Sequence, residues 1–254
     1  MKTKLPLAFI ATAIAIAITT SMDITGFAMY SALPLVLITA IFWIIDKQSL
    51  QSIGLRIGKI KYYGTALVYP ILVNGLCILS AMIFGDINFN EFEQKDLKNI
   101  LLASSTGIIG TLITEEGFFR GWLWGSLKKR SWSNLNVLWF SSIIFMVWHI
   151  SVIIFYADYG LPLFQVPIYL INATLLGLIW GAMRMISGSV IVPALCHSVW
   201  NALAYTLFAF GENIGALGVK NGIFFGPEVG LAGIIFNGLF FIWIFNRLKK
   251  KEII

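Results

Sequence analysis

Glu115, Glu116, Arg120, His149, His197 and Asn201 are the residues of this chain whose types and spacing could do chemistry. His149 and His197 are its only histidines, and all six residues fall inside long apolar runs. An ionisable side chain at membrane depth costs at least a few kcal/mol, so each one requires a partner, a hydrated cavity or a function. On a helix, residues four apart lie about 40° from each other and neighbours about 100° apart. Glu116 and Arg120 therefore share a face and read as a buried ion pair, which leaves Glu115 pointing elsewhere and free to act. His197 and Asn201, also four apart, project toward one point and could hold an oxyanion through two hydrogen bonds. Glu115 could take a proton from water, with His149 orienting or polarising it. Together these parts describe a hydrolase site; without turnover the same residues would be a polar network that locks helices together.

The elements that must position these residues are membrane spans. The chain has 254 residues, 58% hydrophobic and 12% charged, with a mean hydropathy of +0.85, where soluble domains carry about 25% charged residues. At about 20 apolar residues per crossing, spans are predicted near 5–21, 27–45, 63–84, 100–123, 135–156, 163–183, 190–210 and 229–245. The expected fold is thus an all-α, polytopic membrane bundle of about eight transmembrane helices, one domain over 1–254. Measured from the loops at 1.5 Å per residue, Glu115, His149 and His197 lie roughly 20, 22 and 14 Å deep. They can meet if their three helices pack together.

Charge sets the expected orientation. One set of loops and ends carries Lys2, Lys4, Lys47, Arg56, Lys59, Lys61, Lys128, Lys129, Arg130, Arg184, Arg247 and the lysines 249–251. The other carries only Lys95, Lys98 and Lys220 among basic residues, and collects Asp23, Asp86, Glu91, Glu93, Asp96, Asp158, Glu212 and Glu228. The positive-inside rule places both termini in the cytoplasm, with the cell membrane as the expected location and its lipids as partners. The net charge of +6 is spread over short clusters between spans and gives no nucleic-acid surface. The first span, with Lys2 and Lys4 before a short apolar core, resembles a signal peptide but ends without a small-x-small site and is expected to be retained. The basic connection 46–62 is expected to lie along the membrane surface. Gly117, Gly121 and Gly125 form a small-residue ridge suited to close helix approach. Cys77 and Cys196 lie in apolar runs and imply no disulfide framework; Cys196 points about 100° away from His197.

Three motifs carry a resemblance: Glu-Glu-x-x-x-Arg at Glu115, Glu116 and Arg120; Phe-x-x-x-His at Phe145 and His149; and His-x-x-x-Asn at His197 and Asn201. In this order, in a polytopic chain, they resemble the CPBP intramembrane proteases, the CAAX protease and bacteriocin-processing or Abi family. Weaker similarity extends to 53–56 and to Gly226, Pro227 and Glu228, which gives a core of about 50–247. The resemblance implies an intramembrane endopeptidase acting on a peptide or a prenylated protein. Carried over by motif, Glu115 with His149 would activate water, His197 and Asn201 would stabilise the oxyanion, and Glu116 and Arg120 would support them. The soluble zinc signature His-Glu-x-x-His is absent, yet Glu115, His149 and His197 could ligate zinc with one position open for water, so the cofactor is zinc or none. Two other readings use the same residues: a non-catalytic immunity or scaffold protein of the same fold, and a proton-coupled transporter, for which no inverted repeat is visible.

Overall fold

The computed structural model describes residues 7–89, 92–156, 160–208 and 213–254. Lys2, Lys4, Glu91, Asp158 and Glu212 of the charge pattern lie outside these residues. Among them there are helices and no strands. The order is α1 (Leu7–Ile24), a 3-10 turn (Ala28–Tyr30), α2 (Pro34–Asp46), α3 (Leu50–Ile53), α4 (Lys61–Ile83) and α5 (Gln94–Ile113). A π-helical segment (Gly117–Leu123) follows, then α6 (Trp124–Lys129), α7 (Asn134–Trp148), α8 (Ile150–Phe155) and α9 (Val166–Ser187). The chain ends with α10 (Ile191–Leu207), α11 (Gly222–Phe225) and α12 (Leu231–Lys250).

Seven of these stretches, some of them compound, are long and apolar enough to cross a membrane. The eighth expected span is α10, whose 17 residues fall just short of that length. The protein is a multi-pass helical bundle, as its hydropathy predicts. Leu37, Ile44, Val68, Ile71, Leu101, Leu102, Ile109 and Leu239 are all more than half exposed, an outward apolar belt that suits lipid and not water. α10 packs chiefly on α5 and also on α4 and α9, while α9 packs on α7 and α12. His197 thereby enters the middle of the bundle.

The spans are interrupted where the chemistry lies. α5 stops at Thr114, whose φ and ψ of −98° and −100° leave the helical region, and the chain resumes through the π-helical turn. α7 and α8 meet at His149, which belongs to neither. Irregular backbone inside an apolar bundle is tolerated where protein surrounds it or where it lines a cavity, and π-helical turns recur at functional sites.

Three expectations change. Between α2 and α4 the connection is helical only at α3, and residues 54–59 dock on the turn between α9 and α10. Val190 N donates to Gly54 O at 2.9 Å, Lys59 N to Ser187 O at 3.0 Å, and Arg56 Nε to Gly188 O at 2.8 Å. Arg184, counted as an orientation charge, is buried as a strut that donates to Arg120 O at 3.1 Å and to Ser52 O at 3.2 Å. Gly54, at φ 75°, leaves room for it, since a Cβ there would lie 2.3 Å from the Arg184 guanidinium carbon. Asp23, placed in a loop, ends α1 buried and accepts from Ser151 Oγ at 2.5 Å.

Candidate active site

The structure brings Glu115, Glu116, Arg120, His149 and His197 together, from the turn that enters the π-helical segment, that segment itself, the α7–α8 junction and α10. Arg120 and Glu116 form the expected ion pair at 3.0 Å, both with fully buried side chains. Arg120 also donates to Gly177 O at 3.2 Å and lies 4.3 Å from the Phe145 ring centroid. Glu116 does more than pair: the same Oε1 accepts from His197 Nδ1 at 3.0 Å. His149 Nδ1 donates to Phe145 O at 2.8 Å. The spacing Phe-x-x-x-His is thus explained, because one residue supplies a ring under Arg120 and the carbonyl that orients His149.

These two bonds fix both imidazoles. With each Nδ1–H engaged, the Nε2 atoms turn toward Glu115 Oε2, at 3.8 Å from His149 and 3.9 Å from His197. Glu115 Oε2 is buried and has no hydrogen-bond partner among the described residues. Separations of this size are too long for direct hydrogen bonds and suit a bridging water. A carboxylate and two oriented imidazoles around such a water can remove its proton.

The ligand spacing around tetrahedral zinc is tighter. Donors 2.0–2.2 Å from the metal lie roughly 3.3–3.6 Å from each other, and among the described residues no group of three or more His, Cys, Asp and Glu side chains is arranged to hold a metal ion. Glu115, His149 and His197 as they stand do not fit zinc, and no step below passes through a metal.

A cavity of about 20 Å³ adjoins the imidazoles, lined by His149, His197, Asn201, Glu228 and aromatic walls that include Tyr169, Trp180 and Tyr205. That is room for a water. Among the described residues no hydrogen bond occupies the Asn201 side chain, so its amide can serve a ligand. Sequence reasoning missed Trp180, whose ring stacks on His197 at 3.9 Å and 18°, and misplaced Glu228, counted as a loop charge but buried in this wall. Trp180 carries no sequence signal beyond its type. Glu228 has a weak one in Gly226-Pro227-Glu228.

The glycine ridge divides. A Cβ on Gly117 would lie 2.4 Å from the chain's own Leu112 carbonyl oxygen, so Gly117 serves the π-helical turn itself. Gly121 and Gly125 receive the segment around α3, near Ile53 O and the Gln48 side chain, instead of a spanning helix. Gly117→Ala is expected to lose about 1–3 kcal/mol of stability through this overlap and to shift both glutamates. A thermal melt in detergent equal to wild type would refute that.

Fold and site together define a multi-pass, all-helical membrane protein with a carboxylate–imidazole centre enclosed by its helices. Residues 96–203 match the model of the family described as type II CAAX prenyl endopeptidase Rce1-like. All three motifs lie within it, which supports a CAAX-type intramembrane endopeptidase in general. None of the curated proteins compared with the chain matches it.

Proposed function

We propose that the protein hydrolyses a peptide bond of a membrane-associated substrate, with water activated by Glu115 and His149. The observation that carries this reading is the convergence of two oriented Nε2 atoms on the unpartnered Glu115 Oε2. Glu115 takes a proton from the water as its oxygen bonds to the carbonyl carbon, and His149 holds that water in line. The carbonyl oxygen, negative in the tetrahedral intermediate, is received by Asn201 and His197. The bond from His197 Nδ1 to the Glu116 carboxylate at 3.0 Å holds the ring so that its Nε2 edge faces the site.

The substrate class follows the family description: a C-terminal CAAX peptide carrying a prenyl chain. The charge pattern supports both termini lying in the cytoplasm, with one domain spanning the chain. The cavity admits little more than a water, so peptide binding must widen it. Purified protein offered a quenched fluorescent CAAX peptide with and without its farnesyl thioether is expected to cleave the prenylated form faster. Folded protein that cleaves neither contradicts the reading.

Asn201→Ala is expected to slow cleavage by about 10²–10³-fold, the effect of removing one oxyanion donor. KM should change little, because the bond strengthens only as the intermediate forms. A rise in KM with unchanged kcat would remove Asn201 from that role.

A further inference from the structure

Peptide hydrolysis needs two proton transfers, one from the attacking water and one onto the leaving nitrogen. The residues carried over by motif supply the first. The second points to Glu228, which lies beyond the matched segment 96–203 and in no motif assigned a role above.

Glu228 sits in the turn between α11 and α12, outside the apolar helices, and is 5% exposed. Its position is fixed with unusual thoroughness. Asn172 Nδ2 donates to Glu228 O at 2.9 Å and to Gly230 O at 3.2 Å, Gln165 Nε2 to Val229 O at 2.8 Å, and Asn237 Nδ2 to Pro227 O at 3.2 Å. Asn237 is held in turn by Tyr69, whose hydroxyl donates to its Oδ1 at 2.7 Å, and by a bond to Asn172 Oδ1 at 3.1 Å. Three buried amides, one from α9, one from α12 and one from the residue preceding α9, therefore satisfy the carbonyls of one short turn. The glycines allow the close packing this needs: a Cβ on Gly233 would lie 2.2 Å from Pro227 O. The side chain so placed lines the cavity beside His149, His197 and Asn201, and its Oε1 accepts a hydrogen bond from Trp200 Nε1.

Glu115 and Glu228 occupy contrasting settings. Glu115 faces two imidazoles and does not line the cavity, whereas Glu228 lines it, and among the described residues no Lys, Arg or His nitrogen forms an ion pair with it. Burial pushes the Glu228 carboxyl up to about 7. Two carboxyls set on different sides of the same imidazoles can divide the roles of base and acid between them.

Resting on the hydrolase reading above, we propose that Glu228 is a further catalytic residue, the acid that protonates the leaving amine. Glu115 takes a proton from water while the water oxygen bonds to the carbonyl carbon. As the intermediate collapses the carbon–nitrogen bond breaks, and the Glu228 carboxyl passes its proton to the nitrogen. The proton on Glu115 then returns to Glu228 through solvent, leaving both residues as they began and one water consumed.

The test compares an amide substrate with the ester of the same sequence. An alkoxide leaves with far less need of a proton than an amide anion. Glu228→Gln keeps the shape and the acceptor for Trp200 but has no proton to give. It is expected to lower kcat on the amide by at least about 10²-fold, with KM and thermal midpoint near wild type, and to lower kcat on the ester by less than tenfold. Equal slowing of both substrates, or wild-type rates on the amide, would overturn the assignment. Should Glu228→Gln fail to fold, Glu228→Asp retains an acid at greater distance and is expected to lower the amide-to-ester ratio; an unchanged ratio would overturn the proposal. Wild-type protein cleaving neither substrate would defeat the hydrolase reading, whereas cleavage indifferent to Glu228 would defeat only this inference.

Discussion

Arg120→Ala is expected to be the most destabilising single change in the chain, costing about 3–5 kcal/mol and removing activity with it. The guanidinium is wholly buried, and it neutralises Glu116, satisfies Gly177 O and packs on Phe145. Its loss would leave a buried carboxylate with only His197 beside it. Arg120→Lys is not conservative here, because an ammonium cannot reproduce the planar fork that serves Glu116 and Gly177 together. The double change Glu116→Leu with Arg120→Met should regain much of the stability, since no charge is then stranded. It should stay inactive, because His197 has lost the carboxylate that orients it. Thermal denaturation in detergent reads the first effect and peptide cleavage the second; a wild-type melting temperature for Arg120→Ala would refute the role of the pair.

Glu115→Gln separates chemistry from folding. The substituted side chain has the same size, and Glu115 Oε2 makes no protein hydrogen bond that folding would miss, so the thermal midpoint should not move. The amide cannot accept a proton from water. Cleavage should fall by about 10²–10⁴-fold, the span attributed to a general base, equivalent to roughly 2.7–5.4 kcal/mol of barrier. Unfolding of this variant at lower temperature would show that Glu115 is structural.

Much of this site is legible in the sequence because lipid makes ionisable residues conspicuous. The pair Glu116 and Arg120 follows from helical spacing, and the meeting of Glu115 with His149 and His197 follows from comparable depths. What periodicity misses is the break at Thr114 and the π-helical turn after it, since a regular helix is the premise of every angle assigned to that stretch. The Glu116–His197 bond joins residues 81 apart and depends on how α10 packs against α5. It corrects the reading of Glu116 as a partner of Arg120 alone. Hydropathy assigns a charged residue at or beyond the end of a span to water, yet Arg184 and Asp23 lie buried inside α9 and α1, and the turn that carries Glu228 folds back into the bundle because side chains satisfy its backbone. Gln165, Asn172 and Asn237 do that for Glu228, and no local pattern announces it.

The central claim is that Glu115, set against two oriented imidazoles, activates water to cut a peptide bond. Its most direct test is the cleavage rate of one prenylated CAAX peptide by wild type and Glu115→Gln, purified side by side in the same lipid discs, with products identified by mass spectrometry. The account predicts two fragments from a single bond in wild type, and at least a hundredfold slower release by a variant of equal thermal stability. Equal rates from the two proteins would contradict it.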